Sequence, residues 1–429
     1  MTIATGGASG TSPSLAEPVS VHTRRPFGGR QKVGLIALGL LALLSLTRAI
    51  SGLDEITSSG TAGAALRLAV PIGLAALGGL WAERAGIVNI GLEGMLILGT
   101  WFGAYVGFEV GPWWGVLAGL AAGAVGGLLH AIATVTFGVD HVVSGVAINL
   151  LGAGVAQYLS QVFYGDGQVP GAGSTQSAVV QPLPDVSLPL LSSGPDLLKD
   201  LEGTGLFFLS DTAGILGGVT RDVSLLTLLA VLLVPFSFFV LWRTSFGLRL
   251  RSVGENPVAA DSLGVAVYRM KYAAVIISGA MAGLGGASLI IGSIYREGQT
   301  AGRGFIGLAA VIFGNWRPGG LAAGAGLFGY ADALQLRAGN AVSGLLLFVA
   351  LLLVVVAIVQ LVRRRLPMVV ATLAIALAFL LWYSVVDSVP SQLVGFTPHL
   401  VTLVVLAAAS QRLRPPAADG LPYRRGQQS

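Results

Sequence analysis

Apolar runs of about 20 residues recur along almost the whole chain, and that is the length a helix needs to cross the hydrocarbon core of a bilayer. Twelve such runs can be marked in the 429 residues: 33–50, 63–81, 94–110, 113–136, 142–162, 223–242, 272–292, 304–316, 319–336, 341–362, 367–386 and 398–411. The eighth, ninth and last are short, which predicts re-entrant or broken helices there. The fold class that follows is all-α: a polytopic transmembrane helical bundle with about 10–12 spans.

Composition removes the alternatives. Only 10% of residues are charged and 54% are hydrophobic, where a soluble domain carries about a quarter charged residues. So few charges could not cover an aqueous surface of this size. The 62 glycines follow no triplet period, and many lie inside the apolar runs, where small residues let membrane helices approach closely. Cysteine is absent, which excludes disulfides, thiolate metal sites and cysteine nucleophiles. A net charge of +5 could suggest nucleic acid, but the basic residues fall in short connections between apolar runs. Their expected task is orientation in a membrane, with lipid and no nucleic acid as partner.

With the N-terminus inside and twelve crossings, 18 of the 25 Lys and Arg fall on the inner side, so both termini are expected in the cytoplasm. The organisation then reads as a disordered tail (1–32), a transmembrane domain (33–412) and a basic cytoplasmic tail (413–429). Within the domain, 163–222 is a long extracytoplasmic loop and 243–271 a cytoplasmic one. Thr23-Arg24-Arg25-Pro26-Phe27 loosely imitates a twin-arginine signal, but no A-x-A-like cleavage site follows the first apolar run. The Pro-, Ser- and Gly-rich 163–222 stretch reads as a surface loop or as a docking surface for an external partner.

Enzyme signatures are missing. None of the three lysines, Lys32, Lys199 and Lys271, follows a glycine, so the chain has no phosphate loop of its own. His22, His130, His141 and His399 form no H-E-x-x-H pair, and the one G-x-S-G arrangement lies in the N-terminal tail.

Three segments carry polar residues where they are costly. In Glu83–Gly94, Gly86, Gly91 and Gly94 weaken the helix while Asn89 and Glu93 stand four apart. A carboxylate there should face a bundle interior or cavity, although Glu83 and Arg84 also suit a solvated turn. In 247–264, Asn256 is a good N-cap, Pro257 suits the first helical position and Gly264 the stop. That predicts a two-turn helix projecting on the cytoplasmic side, a rigid knob for a soluble partner or a structured loop with none. Third, Arg303-Gly304-Phe305 opens a glycine-interrupted half-span that runs to Asn315. Paired interruptions in the two halves of a chain are a signature of internally repeated transporters; they can equally be packing defects.

Taken in series, Glu83–Gly94, Gly254-Glu255-Asn256-Pro257-Val258-Ala259-Ala260 and Gly302–Ala310 resemble the permease subunits of bacterial ABC importers of the ribose and branched-chain amino-acid type. Val88–Gly94 and the C-terminal Leu421-Pro422-Tyr423-Arg424-Arg425-Gly426 are most similar to the nucleoside, or simple-sugar, branch. The resemblance runs from about residue 60 to 425 and implies about ten spans; the long N-terminal tail and the 163–222 loop depart from it. It implies a plasma-membrane importer in which this permease and a second, different one form the pathway. Two cytoplasmic ATPases hydrolyse the ATP, and an external lipoprotein delivers the solute; this chain binds no cofactor. Gly254, Glu255, Asn256, Pro257, Ala259, Ala260 and Gly264 would belong to the coupling helix. Asn89, Glu93, Arg303, Phe305 and Asn315 are candidates for the pathway of a nucleoside or related ribose-containing solute. The rival expectation is a single-chain transporter driven by an ion gradient, with Glu93 as its ion site.

Overall fold

A computed structural model describes residues 29–165, 175–189, 191–192, 196–337, 339–385 and 413–424. The chain divides into a short unit, 1–40, whose described part is the start of the first helix, and a second unit, 41–429. Helices dominate the described residues. In order they are α1 (Gly29–Ser51), α2 (Ser59–Arg84), α3 (Leu92–Glu109), α4 (Pro112–Ala131, extended by a π turn to Thr136) and α5 (His141–Phe163). After them come α6 (Leu197–Glu202), α7 (Leu209–Thr220), α8 (Leu225–Arg243), α9 (Ser245–Glu255), α10 (Pro257–Ser262) and α11 (Val267–Ile290). The last four are α12 (Arg303–Phe313), α13 (Pro318–Arg337), α14 (Gly339–Val362) and α15 (Leu366–Val385). A two-residue ladder pairs β1 (Asp185–Val186) with β2 (Val223–Ser224).

Eight of the described helices are long and apolar enough to cross a membrane: α1, α2, α4, α5, α8, α11, α14 and α15. Of the other expected spans, 94–110 and 319–336 are the full-length but more polar α3 and α13, and 398–411 lies outside the described residues. The short run 304–316 is α12, only 11 residues. At 1.5 Å per residue it rises about 16 Å, half a hydrocarbon core.

Side-chain caps start several of these helices. Ser58, Asp140, Ser224 and Thr244 each accept from a backbone N–H of the first turn of α2, α5, α8 and α9, satisfying donors that a helix leaves free. α2 and α11 run through the centre, carrying buried Leu74, Leu77, Leu80, Ala274, Val275 and Ala282. α14 and α15 expose Val355, Ile358, Val370 and Leu377, as lipid-facing helices do.

What closes the centre is glycine. A Cβ on Gly123 of α4 would stand 2.2 Å from the Gly279 carbonyl of α11, and one on Gly283 would stand 2.2 Å from the Gly119 carbonyl. α3 joins the same seam, since a Cβ on Gly99 would meet the Gly283 carbonyl at 2.2 Å. Backbones therefore touch where no apolar solvent-exclusion force operates, and dispersion between close surfaces holds the helices.

One stretch differs from its sequence reading. Within 163–222, α7 packs by its glycines on the start of α2: a Cβ on Gly218 would lie 2.2 Å from the Ser59 carbonyl. Its Asp211 is buried against Arg48 of α1 at 2.9 Å. The surrounding Pro, Ser and Gly hid a 12-residue helix whose small residues serve packing.

Gly283→Ala is expected to cost at least about 2 kcal/mol, because the intruding methyl meets backbone rather than a mobile side chain. Thermal unfolding in detergent should show a clear loss, while Gly319→Ala, with nothing within 4 Å, should unfold like the wild type.

Candidate functional site

Between α2 and α3 the chain leaves helical geometry at Gly86, whose φ is +79°, and re-enters it at Leu92. The intervening backbone is buried, so its polar groups need protein partners. Asn89, fully buried, accepts from the Gly91 N–H at 3.1 Å and donates to Ser278 Oγ at 2.9 Å. Ser278 lies about half-way along α11, which puts the interruption in the middle of the bundle. Asn149 of α5 donates to the Ile90 carbonyl at 3.0 Å and accepts from the Gly94 N–H at 2.7 Å. His130 Nε2 donates to the Val88 carbonyl at 3.2 Å, and the Val88 N–H donates to His141 Nδ1 at 3.3 Å. These bonds fix both tautomers: each imidazole carries its proton on Nε2.

A second interruption meets the first. The chain after α11 turns at Gly298 and Gly302, both at φ +76°, and starts α12 beside the first turn of α3. There Glu93, buried and itself one residue into α3, accepts from the Gly302 N–H at 3.0 Å and from the Gly304 N–H at 2.7 Å. One carboxylate thus satisfies two of the donors at the start of α12, and its charge faces the positive end of that helix dipole. Arg303 turns away. It donates to the carbonyls of Gln299 and Thr300 and reaches Asp332 of α13 at 3.3 Å. Phe305 is half-exposed on the face of α12. Next to this junction lies a cavity of about 170 Å³ between Ile97 and Thr100 of α3, Ala153 and Ala156 of α5, and the 295–300 connection. Gln299, which lines it, has a buried Nε2 without an acceptor.

α12 ends in a second cluster. Asn315 and Trp316 both take positive φ, +51° and +53°, a strained conformation for side chains of their size. What holds it is a knot: the Trp316 indole donates to the buried Glu83 carboxylate, and Arg84 Nη2 donates to the Trp316 carbonyl at 2.6 Å. The guanidinium groups of Arg84 and Arg251 both lie over the Trp242 ring, 5.3 and 5.4 Å from its centroid. Arg84 also stands 3.9 Å from Glu255. Next to the knot, α9 and α10 meet at Asn256, which caps α10 by accepting from the Ala259 N–H at 2.9 Å. Pro257 follows as the first residue, and Gly264 turns the chain at φ +81°. α9, over a stretch expected as loop, is an amphipathic helix whose Gly254 lies against the Arg84 carbonyl.

The family comparison agrees with this architecture. Residues 61–358 match the family of branched-chain amino acid transport system permease components. The chain is a member of that family. Among curated proteins, the permease is 34% identical over 372 residues to the guanosine ABC transporter permease protein NupQ of Bacillus subtilis, covering 85% of this chain and 96% of that one. To the nucleoside ABC transporter permease protein NupC of Lactococcus lactis it is 32% identical, covering 82% and 93%. To the putative glucose ABC transporter permease protein TsgC13 of Haloferax volcanii it is 34% identical, covering 65% and 78%. No solved structure matches the chain. The permease is thus the membrane-spanning component of an ABC importer, and the ion-driven single-chain alternative has no support.

The structure brings Asn89, Glu93, Arg303 and Phe305 to one junction and puts Asn315 at the other end of α12, among the loops that meet α9. Gly254 through Gly264 form the α9–α10 corner. Sequence reading missed the anchors of the first interruption, His130, His141, Asn149 and Ser278. Their signal is polarity within otherwise apolar runs.

Residues 413–424 return to this corner, and Asp419 lies partly buried near Lys271, Arg84 and Glu83. Burial raises its carboxyl to about 7; the Gly420 N–H, Lys271 and Arg84 pull the other way. A raised folded value means that docking is favoured by protonation. That contribution is complete below about pH 4 and lost as pH rises through about 7. Proteolysis of the C-terminal segment should therefore quicken as pH rises from about 4 to 7 and level off above that, and Asp419→Asn should flatten the profile. At the junction, Glu93→Gln puts an amide NH₂ against a backbone N–H and is expected to cost about 1–3 kcal/mol, read as a lowered unfolding temperature in detergent.

Proposed function

We propose that this permease is one of two different permease chains in an ATP-driven importer of nucleosides, in the bacterial plasma membrane with both termini in the cytoplasm. The observation that carries the reading is the meeting of two interrupted segments half-way through the bundle, with Glu93 bridging them and a small cavity alongside. Two interruptions whose backbone groups find protein partners make a joint where rigid helical halves can shift without exposing backbone to lipid. The cavity is small against the several hundred Å³ of a tight-binding pocket, which suits a passage whose affinity resides in a separate binding protein. Gln299 offers a solute an unused donor there, and Asn89 and Phe305 stand near the same path. The nucleoside class is supported by the guanosine and nucleoside relatives.

The α9–α10 corner is the proposed seat of the ATPase. Leu263 is 85% exposed and Val258 is exposed beside it, apolar groups on a capped helix at the end where the basic residues gather. An ATPase groove closing on that knob would move it as a rigid body. On the opposite end, the 175–222 region is the proposed landing surface for an external lipoprotein that delivers the nucleoside.

The test is uptake into liposomes. The permease reconstituted with its partner permease, ATPase and binding protein should accumulate guanosine only with ATP, and collapse of ion gradients should change nothing. Guanosine uptake by this chain alone would overturn the reading. Pro257→Gly combined with Ala259→Asp should leave ATP hydrolysis running while uptake falls at least tenfold; normal uptake in that variant would remove α10 from the coupling role.

A further inference from the structure

The C-terminal segment touches every part of the cytoplasmic-end machinery, although nothing in the transport scheme has used it. The Arg414 N–H donates to Asn315 Oδ1 at 2.8 Å, tying the segment to the strained turn between α12 and α13. The Ala417 N–H donates to the Glu255 carboxylate at 3.2 Å and the Ala418 N–H to the Gly254 carbonyl at 2.9 Å, both at the end of α9. Ala418 is buried, and its carbonyl covers Gly86 so closely that a Cβ there would stand 3.0 Å away. Tyr423 packs its ring on Tyr268 of α11, 5.7 Å between centroids, and joins the apolar cluster of Val253, Ala260 and Val267.

Twelve residues therefore link four places: the α12–α13 turn, the α9–α10 corner, the start of the first interruption, and the foot of α11. The donors are backbone N–H groups, and the Ala418 bond to the Gly254 carbonyl joins backbone to backbone, which constrains position more tightly than contacts between exposed side chains do. Gly86 opens the segment that leads to Glu93, and Asn315 closes the half-helix that Glu93 caps. Residues 414–423 therefore contact the α9–α10 corner and the chain on both sides of the Glu93 junction.

We propose that residues 413–424 are a transmission strap that makes the α9–α10 corner and the two interrupted segments move as one body, so that ATP hydrolysis is coupled to opening of the pathway. The proposal rests on the permease reading above. Without the strap, the corner keeps its direct contact with Arg84 but loses the bond to Asn315 and the cover over Gly86, so it follows the ATPases with a weaker hold on the junction. Hydrolysis then continues and transport falls.

The experiment uses the complete transporter in liposomes and reads three quantities for each variant: recovery of the assembled complex, ATP hydrolysis, and guanosine uptake. The variants end the chain after Arg412 or carry Tyr423→Ala, with Tyr423→Phe as the conservative control. The strap predicts that the truncated complex assembles, hydrolyses ATP within about twofold of wild type, and loses at least tenfold in guanosine moved per ATP. Tyr423→Ala should lose at least threefold in the same ratio and Tyr423→Phe should restore it. An unchanged ratio in the truncated complex overturns the strap and leaves the permease reading intact. If truncation prevents assembly, Tyr423→Ala decides in the same way: a lowered ratio supports the strap and an unchanged one overturns it. Absence of ATP-driven uptake in the wild type would overturn both readings together.

Discussion

A membrane helix that stops half-way leaves backbone N–H and C=O groups in a medium that cannot hydrogen-bond them. The carboxylate of Glu93 answers that problem for α12, binding the N–H groups of Gly302 and Gly304 from the first turn of α3. Each such donor left alone would cost several kcal/mol in hydrocarbon. The other interruption is answered by neighbours: Asn149 from α5, Ser278 from α11 through Asn89, and His130 and His141 from either side of the α4–α5 connection. Three helices, α4, α5 and α11, are held in place by the need to satisfy the seven residues from Val88 to Gly94.

Those bonds form only because the helices come close enough. The glycine seam through α3, α4 and α11 brings backbones into contact, and Gly145 and Gly152 do the same for α5 against Gly91 and Gly94. The polar groups near the junction are thus set by apolar geometry. At the other end of α12 the logic inverts: the charged knot of Glu83, Arg84 and Trp316 pins a turn whose backbone is strained. The half-helix is anchored at both ends, by a carboxylate in the middle of the bundle and by an indole and a guanidinium at its edge.

Much of this was legible in the sequence, because bilayer physics leaves few options. The run of α14 and the cap residues Asn256 and Pro257 could be read from local pattern alone. The interruptions at 86–94 and 304 showed as glycines beside polar residues, and their pairing was suggested by position in the two halves. What the pattern could not give was the partner of Glu93, since the bond joins residues more than 200 apart in sequence. Nor could it reveal α7, whose glycines look like loop until Ser59 and Gly63 of α2 are set against them. α9 lies in a stretch expected as loop, and its Gly247 and Gly254 are the contact points of a short amphipathic helix.

The absence of native cysteine makes the proposal that the Glu93 junction borders the solute's pathway directly measurable. Phe305 is half-exposed on the half-helix, and exposure at that depth means either the pathway or lipid. Phe305→Cys in the assembled transporter should react with a membrane-impermeant maleimide, and trapping the ATPases in their ATP-bound state should change the rate severalfold. Ile358→Cys on the lipid-facing side of α14 should stay unreactive throughout. If Phe305→Cys is as inert as Ile358→Cys in every nucleotide state, α12 faces lipid and the junction is a packing device instead of a path.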